Sequence, residues 1–172
     1  MHIIIDGYNL IRQSSALSEL DLADVEAGRE ALIETLADYR RIKRHRITVV
    51  FDGSGAPYGV PAREQVKGIA VRYSARGESA DDVIKRLAAR EGEKAVVVSS
   101  DRDIINYAES KGAATIASPA FETKLALAAY RDAKGCLPDE EEAEQQRTTR
   151  KKGPRRRQSK KDRRRRVKTG KL

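Results

Sequence analysis

His2-Ile3-Ile4-Ile5-Asp6-Gly7 reads as a short buried strand that stops at an acid and a glycine. An apolar, β-branched run without polar alternation suits a strand covered on both faces. The pattern returns in Ile47-Thr48-Val49-Val50-Phe51-Asp52-Gly53 and, with two serines before the acid, in Ala95-Val96-Val97-Val98-Ser99-Ser100-Asp101. Ile69-Ala70-Val71-Arg72-Tyr73 and Thr115-Ile116-Ala117 supply two further strand candidates.

Helical periodicity fills the intervals. Leu22, Val25, Leu32, Leu36, Tyr39 and Ile42 recur at helical spacing with charges between them, predicting one long amphipathic helix from about Asp21 to Arg44. Three more helices are expected over Ser79 to Glu91, Asp103 to Ser110 and Ala120 to Ala133. Gly53, Gly55, Pro57, Gly59 and Pro61 crowd enough breakers together to mark an exposed loop. Strands alternating with helices predict an α/β fold, a parallel sheet flanked by helices. Right-handed crossovers then bring the carboxyl ends of the strands to one edge, where open sheets of this kind bind ligands.

Composition narrows the function classes. A length of 172 residues suits one domain, and 39% hydrophobic content suits one core plus a soluble appendage. Cys136 is the single cysteine, which excludes an intrachain disulfide and a cysteine-rich zinc site and points to the cytoplasm. No signal-like run or spanning apolar stretch is apparent, so no membrane role is expected. The net charge of +9 divides unevenly: residues 1–144 hold 20 Lys+Arg against 25 Asp+Glu, and residues 145–172 hold 15 against 1. We therefore expect an acidic body over 1–135 and an acidic-then-basic tail over 136–172.

Six aspartates fall where this topology would gather them: Asp6, Asp52 and Asp101 after strands, Asp81 and Asp82 at a helix start, and Asp103 beside Asp101. Clustered carboxylates repel and stay ionised only with a compensating cation or raised pKa values. Mg²⁺ or Mn²⁺ prefers such oxygen ligands and keeps waters that a substrate phosphate can replace. Two such ions would suit phosphodiester hydrolysis. Each acid also has a plain structural account, as a turn residue for Asp6 and Asp52 and as a helix cap for Asp81, Asp82, Asp101 and Asp103. Their joint placement at one edge favours the metal site.

Four ordered motifs carry a resemblance. Ile4-Ile5-Asp6-Gly7-Tyr8-Asn9-Leu10, Val50-Phe51-Asp52-Gly53, Gly77-Glu78-Ser79-Ala80-Asp81-Asp82-Val83-Ile84 and Val98-Ser99-Ser100-Asp101-Arg102-Asp103 are together similar to the NYN domain family, in particular its YacP-like branch. The resemblance covers about residues 1–135 and implies a PIN-like, Rossmann-like sheet and metal-dependent RNA cleavage. It implies Asp6, Asp52, Asp82 and Asp101 as catalytic metal carboxylates, Asp81 and Asp103 assisting, and Asn9 and Ser100 supporting. The division between Asp81 and Asp82 stays open, because adjacent helical positions point about 100° apart.

Arg72, Arg76 and Lys85 are candidates for holding RNA phosphates, and Tyr8 or Tyr73 for stacking on a base, beside their ordinary surface and packing roles. His2 and His45 receive no functional role. In the tail, Arg155, Arg156, Arg157, Arg163, Arg164, Arg165 and Arg166 predict a disordered polycation that binds RNA with strong salt dependence and little sequence preference. A ribosome-associated RNA fits the same charge. The competing expectation is a non-catalytic RNA- or ribosome-binding adaptor that keeps a vestigial nuclease fold.

Overall fold

The computed structural model describes residues 1–53, 62–135, 167–170 and 172. The body runs β1 (His2–Asp6), α1 (Gly7–Gln13), α2 (Ser15–Ala23), α3 (Val25–Lys43), β2 (Arg46–Phe51), β3 (Arg63–Val66), β4 (Ile69–Tyr73), α4 (Ala80–Glu91), β5 (Ala95–Val98), α5 (Arg102–Ser110), β6 (Ala114–Ile116) and α6 (Ser118–Ala133). One sheet holds the strands in the order β3-β4-β2-β1-β5-β6. Neighbours are parallel except β3 and β4. β1 is central; the chain builds outward on one side through β2 and β4, then crosses to β5 and β6 on the other. That reversal opens a crevice at the carboxyl end of β1.

The period of two along each strand sorts the core. Ile3, Ile5, Val49, Phe51, Val71, Val96 and Val98 belong to a cluster with Leu10, Leu32, Leu36, Tyr39 and Phe121 of α1, α3 and α6. Ile4, Val50, Val97 and Ala95 face the other way, onto Ile84, Leu87 and Ile104 of α4 and α5. Burial on both faces is why these strands read as unbroken apolar runs.

Two expectations are corrected. The single helix expected from Asp21 to Arg44 is two, because Asp24 adopts an extended backbone (φ −156°) and its carboxylate accepts from the backbone N–H of Glu26 at 2.9 Å. An aspartate that caps a new helix competes with continuing the old one. The sheet, expected to be parallel, also gains an antiparallel edge strand, β3. Its turn passes through Lys67 and Gly68 at φ 50° and 84°, the paired positive values of a tight hairpin turn.

The predicted loop of glycines and prolines falls largely on residues 54–61, outside the described residues, as do Cys136 and the arginines at 155–157 and 163–166. At the far end of the tail, residues 167–170 form a helical turn. Leu172 is buried in the α3/α6 cluster, and its carbonyl accepts from the Tyr39 hydroxyl at 2.6 Å. Among the described residues no helix is long and apolar enough to cross a membrane.

A candidate acidic site at the carboxyl edge of the sheet

Asp6 ends β1 and caps α1, accepting from the Asn9 backbone N–H at 3.2 Å. Its second oxygen accepts from the Ser99 hydroxyl at 3.1 Å. Ser99 is fully buried after β5, and its Oγ also accepts from the Asp101 N–H at 3.1 Å. Asn9 is a clamp: its Oδ1 accepts from the Ser100 N–H at 2.9 Å, the Ser118 hydroxyl at 2.7 Å and Gln13 Nε2 at 3.2 Å. The loops after β1 and β5 and the start of α6 are thereby tied together. Ser100 adds a hydroxyl contact to Gln13 at 2.8 Å.

Two glycines in the acidic motifs are required by close approach rather than by a turn. A Cβ on Gly7 would stand 2.3 Å from the Phe51 ring, and one on Gly53 would stand 2.0 Å from the Ser74 carbonyl. Gly53 also donates to Ser74 Oγ at 2.9 Å, locking the residue after Asp52 to the end of β4.

Asp6, Asp52 and Asp81 line one open cleft of about 670 Å³, with Tyr8, Asn9, Arg12, Gln13, Asp21 and Ser79 among its other walls. Burial pushes the Asp6 carboxyl above its ordinary value, and the charges of Asp81 and Asp101 add to the rise against the hydrogen bonds of Asn9 and Ser99. Asp81 is raised as well, by burial and then by Asp101, with Lys85 opposing. The charges of Asp81 and Asp101 thus act on Asp6, and that of Asp101 on Asp81.

The six acids do not all share the cleft. The adjacent pair, whose division the sequence leaves open, splits: Asp81 lines the cleft, whereas Asp82 closes the capping box of α4, accepting from the Ser79 N–H at 3.2 Å and hydroxyl at 2.7 Å. Those bonds hold the Asp82 carboxyl below its usual range. Asp101 is not among the cleft walls and caps α5, its Oδ1 accepting from the N–H groups of Asp103 at 2.7 Å and Ile104 at 3.3 Å. Asp103 is exposed and ion-paired with Lys85. Arg76 is exposed in the segment before α4, and Arg72 lies on β4 away from the cleft walls. Tyr73 stacks on Phe51 at 5.9 Å on the α3 face; of the two tyrosine candidates, Tyr8 lines the cleft.

Sequence reasoning missed four residues. Ser99 holds Asp6, a role indistinguishable in sequence from that of Ser100 beside it. Ser118 reaches Asn9 from 109 residues away. Arg12 brings a cation to the acidic cleft, lying 5.7 Å over the Tyr8 ring. Asp21 adds an acid to the cleft wall, and its Oδ1 is buried without a hydrogen-bond partner among the described residues. One turn of helical pattern would have flagged neither.

Among the described residues no three His, Cys, Asp or Glu side chains stand close enough to enclose a metal ion. The donor set is nonetheless all oxygen, with the Asp6, Asp52 and Asp81 carboxylates facing one cleft. It fits an ion such as Mg²⁺ that keeps most of its waters and is held through one or two carboxylates, not a closed protein cage.

The sequence profile of the YacP-like NYN domain matches residues 3–169. A curated relative, the uncharacterized protein YacP of Bacillus subtilis (strain 168), is 30% identical over 86 residues, 50% of each chain. The match thus spans about half the length of that relative. Two crystal structures of Rae1 (YacP) from Bacillus subtilis share the fold at 24% identity. One has a TM-score of 0.66 and covers 78% of both chains. The other, of a mutant form of that protein, has a TM-score of 0.64 and covers 77% of this chain and 79% of its own.

Proposed function

We propose that this chain, which belongs to the YacP-like NYN domain family, is a divalent-metal-dependent endoribonuclease that hydrolyses RNA phosphodiester bonds. The observation that carries the reading is the meeting of Asp6, Asp52 and Asp81, from three separate elements, in one polar cleft at the carboxyl edge of the sheet. Asp6, Asp81 and Asp52 would hold Mg²⁺ or Mn²⁺, with the nearby Asp101 adding negative charge. A bound ion of this kind activates water and offsets charge developing on the phosphate.

The protein's own groups set the rest. Ser99 and Asn9 fix the Asp6 carboxylate, and their hydrogen bonds favour its ionised form against the burial that raises its pKa. Arg12 stands at the cleft to meet a substrate phosphate, and Lys85, close enough to lower the Asp81 pKa, balances the acids from the α4 side. Tyr8 offers a ring at the cleft wall on which an unpaired base can stack. Arg155–Arg157 and Arg163–Arg166 of the tail would supply sequence-independent attraction to RNA, free or on a ribosome.

One observation favours the second reading, an RNA- or ribosome-binding adaptor. Asp82 and Asp101 use their carboxylates as helix caps, and no three-ligand cluster is preformed among the described residues. Cleavage of end-labelled single-stranded RNA in Mg²⁺, Mn²⁺ or EDTA, with and without ribosomes, separates the two. The nuclease reading expects metal-dependent cutting that Asp6→Asn and Asp81→Asn each abolish while RNA binding persists. Wild-type cutting by Asp6→Asn/Asp81→Asn, or no cutting by the wild type in any condition while RNA still binds, would sink it.

A further inference from the structure

The face of the sheet that carries Asp6 also carries arginines. In register, Asp6 pairs with Val50, Val50 with Arg72, and Arg72 with Arg63, so the four form one row from the central strand to the edge. Registered neighbours point to the same side. Val50 packs in the α4 cluster, and Asp6 feels Asp81 of α4, which sets that side as the α4 face. At the usual strand spacing, Arg72 stands about 10 Å and Arg63 about 14 Å from Asp6 along the row.

Like charges directly opposite on antiparallel strands are destabilising, so the Arg63–Arg72 pair is a cost in the free protein. Neither has an acidic partner within ion-pairing distance among the described residues. Arg72 is half-buried, and burial together with the charges of Arg63, Arg90, Arg46 and Arg86 pushes its guanidinium below its ordinary value. Arg86 pairs with Glu78, and Arg90 and Arg46 share Glu91, so three of the five guanidiniums have a carboxylate and Arg63 and Arg72 have none among the described residues. Arg86 also links the cluster to the segment before α4, whose Ser79 borders the cleft. The main contacts of the helices on this face are with β1, β2, β5 and β6, which leaves Arg72 and Arg63 toward the β4/β3 edge.

A row that is acidic at the cleft and basic beside it matches a polyanion that places one phosphate at the acids and its neighbours on the arginines. We propose that Arg63 and Arg72, flanked by Arg86, form a shelf that binds the phosphates of a single-stranded RNA lying across the sheet edge from the acidic cleft. The inference rests on the nuclease reading for the strand's orientation, but the binding it asserts is measured without cleavage.

The test is fluorescence anisotropy of a labelled single-stranded RNA oligonucleotide with the full chain in EDTA, across a salt series. Arg63→Gln/Arg72→Gln is compared with the charge-matched control Arg41→Gln/Lys43→Gln on α3. Each lost phosphate contact lowers the slope of log affinity against log salt by about 0.7 for a single strand, so the shelf variant loses about 1.4 relative to the control. A DNA oligonucleotide of the same sequence shows the same drop, because phosphates alone are read. Relief of the arginine pair keeps the variant folded, and a thermal melt verifies it. A shelf variant with the control's slope and affinity overturns the proposal, even where the wild type cuts RNA. A wild type that never cuts, with the slope drop intact, defeats the nuclease reading and leaves the shelf standing.

Discussion

Ser99→Ala tests the account of the acidic site most directly. Ser99 is fully buried and serves two groups, donating to Asp6 Oδ2 and accepting from the Asp101 N–H, both at 3.1 Å. A hydrogen bond to a charged group contributes about 1.5–3 kcal/mol and one to a neutral amide about 0.5–1.5 kcal/mol, so the substitution costs about 2–4.5 kcal/mol. For a domain of this size that corresponds to a fall in Tm of roughly 6–12 °C. The loss depends on pH in a set direction. Burial already raises the folded Asp6 pKa above 3.8, so Asp6 contributes most favourably below that value, and the contribution is lost as pH rises through the folded value. Ser99 favours the ionised form, and its removal raises the pKa further. The destabilisation is therefore larger at pH 7 than at pH 4. Thermal and urea melts at both pH values in EDTA, with a ¹³C carboxyl titration of Asp6, measure it. Equal losses at the two pH values with an unmoved Asp6 midpoint would refute the argument.

Three other expectations follow from the same geometry. Asp82→Ala removes the side-chain half of the α4 capping box and lowers the denaturant midpoint slightly, and on the nuclease reading it leaves cleavage intact, in contrast to Asp81→Asn. His2 is buried, its Nε2 is 2.8 Å from Thr48 Oγ1, and burial with the Arg46 charge lowers its pKa from 6.5 to about 4. The unfolded chain takes up a proton there first, so stability present above pH 6.5 declines as pH falls toward 4, by up to about 3 kcal/mol; His2→Gln flattens that decline relative to the wild type in paired pH-dependent melts. Leu172→Ala removes a side chain that is 4% exposed in the α3/α6 core and lowers unfolding free energy by about 2 kcal/mol, whereas an unanchored tail end would leave the melt unchanged.

Much of the strand framework is legible locally. Runs such as Ile3-Ile4-Ile5 and Val96-Val97-Val98 are apolar on both faces, which only a covered sheet satisfies, and their boundaries agree closely with β1 and β5. The capping signature Ser79-Ala80-Asp81-Asp82 likewise marks the start of α4. β3 was not legible, since Arg63-Glu64-Gln65-Val66 has an edge strand's polar surface and is defined by pairing with β4. The break at Asp24 was also hidden, because the apolar period continues across it while one carboxylate redirects the backbone.

Fold class and the presence of acids after three strands can be read from the chain alone, because both depend on short-range pattern and on the common direction of parallel strands. The motifs that identify the family are equally local. Which acids meet is settled only by the packed fold. Asp81 reaches the cleft and Asp82 turns back to Ser79 because neighbouring positions on one helical turn point in different directions. Ser99, Ser118 and the Arg72–Arg63 row acquire their roles only when strands distant in sequence are set in register, a three-dimensional relation that no local spacing encodes.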